Sequence, residues 1–199
     1  MSNLDILNSA GAFYLKGAVP TELCRFLTHV LLRSASQPSA GGDEQVPGSV
    51  VLARDNTFET LLERVWPDLE ELLGTNLLPT YAYARLYTNG DELAKHIDRD
   101  ACEISMTVQL GRSHQYAWPI YAGASRYDLA EGDAVVYRGC DVEHWRNVCD
   151  GPPGYYSGQC FLHFVLADGN RTIEVGDSQN RDLWKNMFVQ NRSEVMDSK

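Results

Sequence analysis

A change of hydrophobic period near Leu78 constrains the fold of this sequence more than any other feature. Before it, apolar residues recur at helical spacing in two segments, one opening at Pro20 and one spanning residues 57–73. After it, short strands alternate with turn residues. The predicted strands, with one before the change, span residues 11–19, 81–88, 103–110, 116–122, 134–138 and 155–166. This order predicts an α+β, mainly β domain whose core is a jelly roll, with N-terminal helices packed on one of its sheets.

The size and composition of the chain, 199 residues of which 44% are hydrophobic, are typical of a single domain. We predict three parts within it: helical support over residues 1–77, the jelly-roll core over residues 78–168 and a C-terminal tail over residues 169–199. The tail is polar and contains a possible short helix at residues 182–189. Residues 34–48 are rich in Ser, Gly and Pro, which predicts a mobile loop. Pro67 lies inside the second helical pattern and is expected to kink or split that helix.

The acidic balance of the chain and its cysteines limit the expected partners and compartment. A formal net charge of −10 argues against unspecific binding to nucleic acid or to an anionic membrane, and favours a neutral or cationic substrate. No apolar run is long enough to cross a bilayer, and the N-terminal segment lacks the pattern of a secretory signal. The five cysteines include no C-x-x-C pair, so we expect no disulfide framework or structural zinc, and a cytoplasmic location.

The candidate metal ligands are His96 and Asp98, which form a His-x-Asp pair, and His144 in a distant segment. Residues i and i+2 of an extended chain point to the same side, so His96 and Asp98 can reach one ion. His144 follows a predicted strand that can lie beside them. Two imidazoles and one carboxylate on one face of an ion leave the opposite face open for a bidentate ligand and O2, as in non-haem Fe(II) oxygenases. Zinc or manganese would also fit, and a His-x-Asp pair alone is common in ordinary loops.

Three stretches resemble the 2-oxoglutarate/Fe(II)-dependent dioxygenase superfamily, specifically its prolyl-hydroxylase-like branch. They are ARLYTNGDELAKHIDRDACEISMTVQL, AEGDAVVYRGCDVEHWRN and GQCFLHFVLAD. The resemblance implies a double-stranded β-helix, the cupin-like form of the jelly roll, with His96, Asp98 and His144 as catalytic metal ligands. It also implies Fe(II), 2-oxoglutarate as co-substrate and O2, and hydroxylation of a C–H bond with release of succinate and CO2.

The resemblance further implies contacts to the co-substrate. In that branch an Arg or Lys on the strand after the distal histidine binds the far carboxylate of 2-oxoglutarate, but the stretch GPPGYYSGQCFLHFV contains neither residue. Tyr155 or Ser157 occupies the position of the missing cation. Arg85, on the strand before the His-x-Asp pair, is another source of the charge. Tyr87 matches a tyrosine that contacts the co-substrate, and His163 matches a histidine that orients it.

Strand alternation predicts which side chains face the site. On the strand over residues 103–110, a polar set should line the cavity between the sheets and an apolar set should pack on the helices. The polar set is Ser105, Thr107 and Gln109, and the apolar set is Ile104, Met106, Val108 and Leu110. Arg85 can instead form a structural ion pair with one of three acidic residues, Asp98, Asp100 or Glu103. For Arg146 a structural role, such as a contact with Glu143, is favoured over a contact with substrate.

The sequence leaves the substrate and two other kinds of function open. A hydroxylase with this chain could act on a free amino acid, a peptidyl residue such as proline, or another small molecule, with loop 34–48 as part of a lid. Asp98 favours hydroxylation over halogenation, because related halogenases lack that carboxylate, while desaturation and ring formation stay open. The other candidates are a cupin-type metal enzyme that does not use 2-oxoglutarate, and a non-catalytic barrel that binds a ligand.

Overall fold

The computed structural model describes residues 2–171, so the helix expected at residues 182–189 lies outside the described residues. Three α-helices are present there: α1 (Asn3–Ala10), α2 (Thr21–Ala35) and α3 (Asn56–Leu73). The strands are β1 (Ala12–Leu15), β2 (Val50–Ala53), β3 (Leu77–Thr88), β4 (Leu93–His96), β5 (Ile104–Arg112), β6 (Ile120–Ala122), β7 (Ser125–Tyr127), β8 (Ala134–Tyr137), β9 (His144–Arg146) and β10 (Tyr156–Leu166). A short 3-10 helix, Asp100–Cys102, lies between β4 and β5.

The strands form two antiparallel sheets. The larger sheet has the order β1-β8-β5-β10-β3-β2, and the smaller one has the order β4-β9-β6-β7. Side chains from both sheets share buried clusters. Tyr87 and Phe161 of the larger sheet pack with Leu93 of the smaller one. Val135 of the larger sheet packs with Ile120 of the smaller one. The sheets therefore pack face to face, and the predicted α+β, mainly β jelly-roll fold is confirmed.

The helices α2 and α3 cover one face of the larger sheet, as expected. The apolar side chains of β5 are buried in one cluster with side chains of both helices, such as Leu31 and Leu69. Burial of each such leucine contributes about 1.5–3 kcal/mol. The polar side chains of β5 form hydrogen bonds on the opposite face of the strand; they are Ser105, Thr107 and Gln109. The two sets therefore lie on opposite faces as predicted, but the polar set does not line the cavity between the sheets, because its three side chains are buried in these hydrogen bonds.

Helix α1 was not expected from the sequence patterns, although its ends carry clear signals. Ser2 caps its start and forms a capping box with Asp5. Gly11 ends it in the left-handed conformation, with a φ of 77°. Leu7 is the one buried residue of this helix, so its apolar periodicity is too weak to predict a helix.

Two predicted boundaries around the N-terminal helices differ in the structure. Helix α3 is not split at Pro67, because the buried side chains of Trp66 and Leu69 hold both sides of the proline against the core. Helix α2 continues to Ala35, so the loop after it starts two residues later than residue 34. No helix among residues 2–171 combines the length and the apolar character needed to cross a membrane.

Candidate metal centre and its pocket

Two short strands of the smaller sheet bring the three predicted metal ligands together. His96 ends β4 and pairs with His144, the first residue of β9, across antiparallel strands. Asp98 lies two residues beyond β4, where its backbone N–H donates a hydrogen bond of 2.8 Å to the carbonyl of Gly139. Only glycine fits at position 139, because a Cβ there would lie 2.5 Å from Asp98 Oδ2. The pairing of β4 with β9 thus joins residues that are distant along the chain.

The donor atoms of these residues converge on one point. Asp98 Oδ1 lies 3.7 Å from His96 Nε2 and 3.5 Å from His144 Nε2. Each histidine also bonds through Nδ1 to a backbone carbonyl, His96 to Ala94 at 2.8 Å and His144 to Val142 at 2.9 Å. A carbonyl only accepts, so each Nδ1 carries the proton and each Nε2 keeps its lone pair. This is the tautomer that binds a metal through Nε2.

The local electrostatics keep these groups in the protonation states of metal ligands. Burial lowers the pKa of His96, and the neighbouring His144 lowers it further. Burial alone would raise the pKa of Asp98, but hydrogen bonds and charge from His144, His163 and Ser105 lower it overall. At neutral pH, His96 is therefore neutral and Asp98 is ionised, as metal binding requires.

Ser105 links the metal centre to His163. The Ser105 hydroxyl donates to Asp98 Oδ2 at 3.0 Å and lies 2.9 Å from His163 Nδ1. Burial lowers the pKa of His163 to about 4, so its ring is neutral near pH 7. Because the hydroxyl proton goes to Asp98, the Nδ1–H of His163 donates to the hydroxyl oxygen. The His163 ring packs on Tyr81, with ring centroids 4.6 Å apart.

The metal centre forms part of the wall of a cavity of about 150 Å³, which both sheets line. Three of the predicted co-substrate residues also line it: Arg85, Tyr87 and His163. The rest of the wall is mostly aromatic and apolar, with two polar side chains from the loop after α2. These residues are Asp43, Gln45, Tyr81, Tyr83, Leu93, Ile120, Tyr137 and Phe161. Such a wall with a few convergent polar groups is typical of a small-molecule site.

Tyr155 and Ser157 do not line this cavity, and neither carries a positive charge that could replace the missing cation. Ser157 is buried beside Gln109, whose Nε2 donates to its hydroxyl at 3.1 Å. Tyr155 packs edge to face on Tyr116, with ring centroids 5.1 Å apart. Both residues lie at one end of β10, and this strand meets the cavity further along, from Phe161 onward.

Arg85 is buried in the cavity wall, but its charge already has a partner. Its Nη1 and Nη2 donate to the two carboxylate oxygens of Asp43 at 3.0 and 2.8 Å. Nη1 also donates to Ser49, and the Tyr83 hydroxyl donates to Asp43. Arg85 therefore does not form the expected alternative ion pair with Asp98, Asp100 or Glu103. The partner comes from the loop after α2, which has no periodic pattern that would predict it.

Arg146 has the opposite character: it is buried, and its charge has no anionic partner among residues 2–171. Its side chain is 1% exposed. Nη1 donates to the Trp118 carbonyl at 2.6 Å and Nη2 donates to Gln159 Oε1 at 2.7 Å. Among residues 2–171, the Nε atoms of Arg146 and Arg85 and the hydroxyl of Tyr87 are buried without hydrogen-bond partners. Burial lowers the pKa of Arg146 to about 10, which still leaves it charged near pH 7.

Arg146 itself does not line the cavity, but it lies near Tyr87, which does, with the ring of Trp118 between them. Its guanidinium lies over the Trp118 ring, 5.0 Å from the centroid. That ring meets the Tyr87 ring edge to face at 4.9 Å, and Tyr87 lines the cavity. The expected contact with Glu143 does not form, since Glu143 pairs with Lys95 at 3.5 Å. The sequence did contain a signal for the position of Arg146. It lies two residues after His144, and residues i and i+2 of a strand point to the same side.

Comparison with known protein families finds no family description that matches this sequence, and comparison with curated proteins finds no match either. Solved structures do match the fold. A prolyl-4-hydroxylase from Pseudomonas putida has a TM-score of 0.64 and 16% identity, and the match covers 80% of this chain and 95% of that one. HygX from Streptomyces hygroscopicus, solved with nickel and 2-oxoglutarate, has a TM-score of 0.63 and 12% identity, with coverage of 83% and 86%.

A third similar structure is the viral collagen prolyl hydroxylase of Paramecium Bursaria Chlorella virus-1, solved as a 2-oxoglutarate complex. It has a TM-score of 0.58 and 11% identity, and the match covers 80% of this chain and 98% of that one. At sequence identities of 11–16%, the similarity to these structures shows a shared fold and nothing more specific. This chain has the fold of the 2-oxoglutarate- and Fe(II)-dependent oxygenases, and its resemblance to the prolyl-hydroxylase-like branch is confirmed at that level.

Proposed function

We propose that this protein is an Fe(II)- and 2-oxoglutarate-dependent oxygenase. It would hydroxylate an unactivated C–H bond of an amino acid, peptidyl residue or other small molecule, with release of succinate and CO2. The observation that carries the proposal is the convergence of His96, Asp98 and His144 in the wall of one cavity, with donor atoms within 4.8 Å of one another. The similar HygX structure, solved with nickel and 2-oxoglutarate, supports it at the level of the fold.

The donor set fits Fe(II). Two neutral imidazole nitrogens and one carboxylate oxygen are the ligands that this ion takes in non-haem oxygenases. The backbone carbonyls at both Nδ1 atoms direct the Nε2 atoms of His96 and His144 to the ion. Ser105 holds Oδ2 of Asp98 and leaves Oδ1 for the metal. The protein would therefore occupy one side of the ion and leave the side toward the cavity for ligands.

The end of the cavity at Tyr87 fits the far carboxylate of 2-oxoglutarate. Burying a charge without a counter-charge is costly, and Arg146 is such a charge. A carboxylate beside Arg146 would take the free Nε–H and could accept a bond from the free hydroxyl of Tyr87. Arg85 is already neutralised by Asp43. We therefore assign the cation that β10 lacks to Arg146 on β9, with Tyr87 as a second contact.

When bound, Fe(II) with 2-oxoglutarate and O2 would supply the oxidising chemistry. The chain itself would orient the ligands and exclude water. Phe161 and Leu93 form apolar walls beside the metal centre, and Ser105 keeps Asp98 in place. His163, neutral and bonded to Ser105, would add a polar contact without a second charge. We propose hydroxylation rather than halogenation because the Asp98 carboxylate would hold the metal where a halide would otherwise have to bind.

The test is the absorbance of the Fe(II)–2-oxoglutarate complex. The purified full chain is loaded anaerobically with Fe(II) and titrated with 2-oxoglutarate, and the metal-to-ligand charge-transfer band is followed. Asp98→Ala is the control, with bound iron measured in both proteins. The proposal expects a band in the wild type that the control lacks. Bound iron without a band would reject the use of 2-oxoglutarate and favour a cupin-type metal enzyme on the same fold.

A further inference from the structure

Two arginines that have no ion-pair partner among residues 2–171 lie against Tyr81, which is part of the wall of the cavity at the metal centre. The guanidinium carbon of Arg54 lies 5.1 Å from the centre of the Tyr81 ring, and that of Arg99 lies 4.6 Å from it. Arg99 Nε also donates to the Tyr81 hydroxyl at 3.3 Å. Both arginines are exposed, whereas Tyr81 is buried and lines the cavity. The two positive charges therefore lie outside the cavity wall, against a residue that lines it.

The backbone holds both arginines in these positions. Arg54 is the one non-glycine residue within residues 2–171 that has a positive φ, 51°, an uncommon conformation for a residue with a side chain. Its N–H donates to the carbonyl of Ala82, beside Tyr81. The carbonyl of Arg99 accepts from the N–H of Cys102 at 2.9 Å and from Cys140 Sγ at 3.1 Å. Arg99 also directly follows Asp98, so its position depends on the metal centre.

The acidic groups nearby are engaged elsewhere. Within residues 2–171, no carboxylate oxygen lies within ion-pair distance of either guanidinium. Glu59 attracts Arg54 at longer range, but one of its oxygens accepts from the N–H of Ala82. Asp55 caps α3, and Asp100 pairs with Arg171 at 3.0 Å. In a chain with a formal net charge of −10, two exposed cations without ion-pair partners among residues 2–171, both against one residue of the cavity wall, form a local exception.

We propose that Arg54 and Arg99 bind a carboxylate of the primary substrate beside Tyr81. This inference rests on the proposed oxygenase function and names its substrate class, an acid. It replaces the sequence-based expectation of a neutral or cationic substrate, because the charge beside the pocket differs in sign from the charge of the whole chain. Exposed arginines bind carboxylates through charge-assisted, often bidentate hydrogen bonds. A substrate held there would have its neighbouring carbon atoms directed into the cavity toward the metal centre.

The test measures probe binding rather than turnover. The full chain is loaded anaerobically with Fe(II) and saturating 2-oxoglutarate, and fluorescence anisotropy is recorded with N-dansyl-glutamate and with its uncharged diamide. We expect the acid to bind about tenfold more tightly than the diamide. Arg54→Ala and Arg99→Ala should each remove most of that preference, and Arg99→Lys should keep part of it. Arg64→Ala, on the exposed side of α3, is the matched control and should keep the full preference.

A dansylated peptide with two glutamates, compared with its glutamine version, distinguishes an acidic peptide from a free acid as the source of the carboxylate. Equal binding of acids and amides of both kinds, or a preference that survives Arg54→Ala and Arg99→Ala, overturns the proposal. The charge-transfer band is recorded in the same samples. A band without acid preference overturns the substrate class alone. Acid preference without a band overturns the assignment of these arginines to an oxygenase substrate.

Discussion

Arg146 donates a hydrogen bond of 2.7 Å to Gln159 Oε1, and within residues 2–171 it meets no carboxylate. Removal of an unpaired buried charge should therefore cost the ligand-free protein little. We expect Arg146→Gln to change the free energy of unfolding by less than about 1 kcal/mol, but to weaken 2-oxoglutarate binding about 10- to 100-fold. Urea unfolding measures the first quantity, and titration of the charge-transfer band measures the second.

Arg85→Gln is the matched control for this prediction, since Arg85 is equally buried but paired. Its removal leaves the Asp43 carboxylate without the guanidinium that it contacts at 2.8 Å. We expect Arg85→Gln to lower the free energy of unfolding by about 1–3 kcal/mol and to leave the affinity for 2-oxoglutarate within about threefold of the wild type. The reverse pattern, with 2-oxoglutarate binding lost in Arg85→Gln and kept in Arg146→Gln, would show that Arg85 carries the co-substrate.

The hydroxyl of Ser105 should tune the affinity for metal. It donates to Asp98 Oδ2 at 3.0 Å and so orients the carboxylate that faces His96 and His144. Loss of such an outer contact typically costs about 10- to 100-fold in metal affinity. We expect Ser105→Ala to weaken Fe(II) binding by that factor, measured anaerobically by competition with a chelator. Ser36→Ala, at the exposed end of α2, should bind Fe(II) as the wild type does. Unchanged affinity in Ser105→Ala would mean that Gly139 alone positions Asp98.

The sequence predicted those parts of the site that depend on strand periodicity. His96 and Asp98 were predicted because alternation puts residues i and i+2 on one side, and the division of β5 followed from the same rule. The Asp43 partner of Arg85 was not predictable, because a loop rich in Gly, Pro and Ser carries no period. Arg146 was not assigned to the site because a charged residue on a short strand is usually exposed, and its burial is visible only in the folded chain.

The Asp43–Arg85 pair should give the protein a pH-dependent stability. Burial alone would raise the pKa of Asp43, but hydrogen bonds from Tyr83 and Arg85 lower it overall. A lowered carboxyl pKa contributes stability that is fully present above its unfolded value of 3.8 and is lost as the pH falls through the folded pKa. We expect Asp43→Asn to cost about 1–3 kcal/mol of unfolding free energy at pH 7, because it leaves a buried guanidinium without its counter-charge.

The difference in unfolding free energy between the wild type and Asp43→Asn should depend on pH. At a pH below the folded pKa, Asp43 is protonated in the wild type, so the difference from Asp43→Asn should shrink toward zero. Asp128→Asn removes an exposed ion pair with Arg126 and should cost less than about 1 kcal/mol at any pH. Urea unfolding at pH 7 and at a pH below the folded pKa of Asp43 measures both. A cost that is equal at the two pH values would show that the pair with Arg85 does not stabilise the fold electrostatically.

Gly139 should be as important to metal binding as a ligand, although it has no side chain. A Cβ at this position would lie 2.3 Å from the Cys102 carbonyl oxygen, 2.5 Å from Asp98 Oδ2 and 2.6 Å from Ser105 Oγ. One of these atoms belongs to the Asp98 carboxylate and another, Ser105 Oγ, donates to that carboxylate, so the carboxylate or its support must move. We expect Gly139→Ala to cost about 1–3 kcal/mol of unfolding free energy and to weaken Fe(II) binding at least tenfold.

Gly41→Ala is the matched control, because a Cβ at Gly41 meets no atom within 4 Å. It should leave both the unfolding free energy and the Fe(II) affinity within error of the wild type. If Gly139→Ala lost stability but bound Fe(II) normally, Asp98 would have to reach the ion without its contact to Ser105. The metal centre would then tolerate a displaced carboxylate. The distances of 3.5 and 3.7 Å between Asp98 and the two histidines would not be required for metal binding, and they would support the oxygenase assignment less strongly.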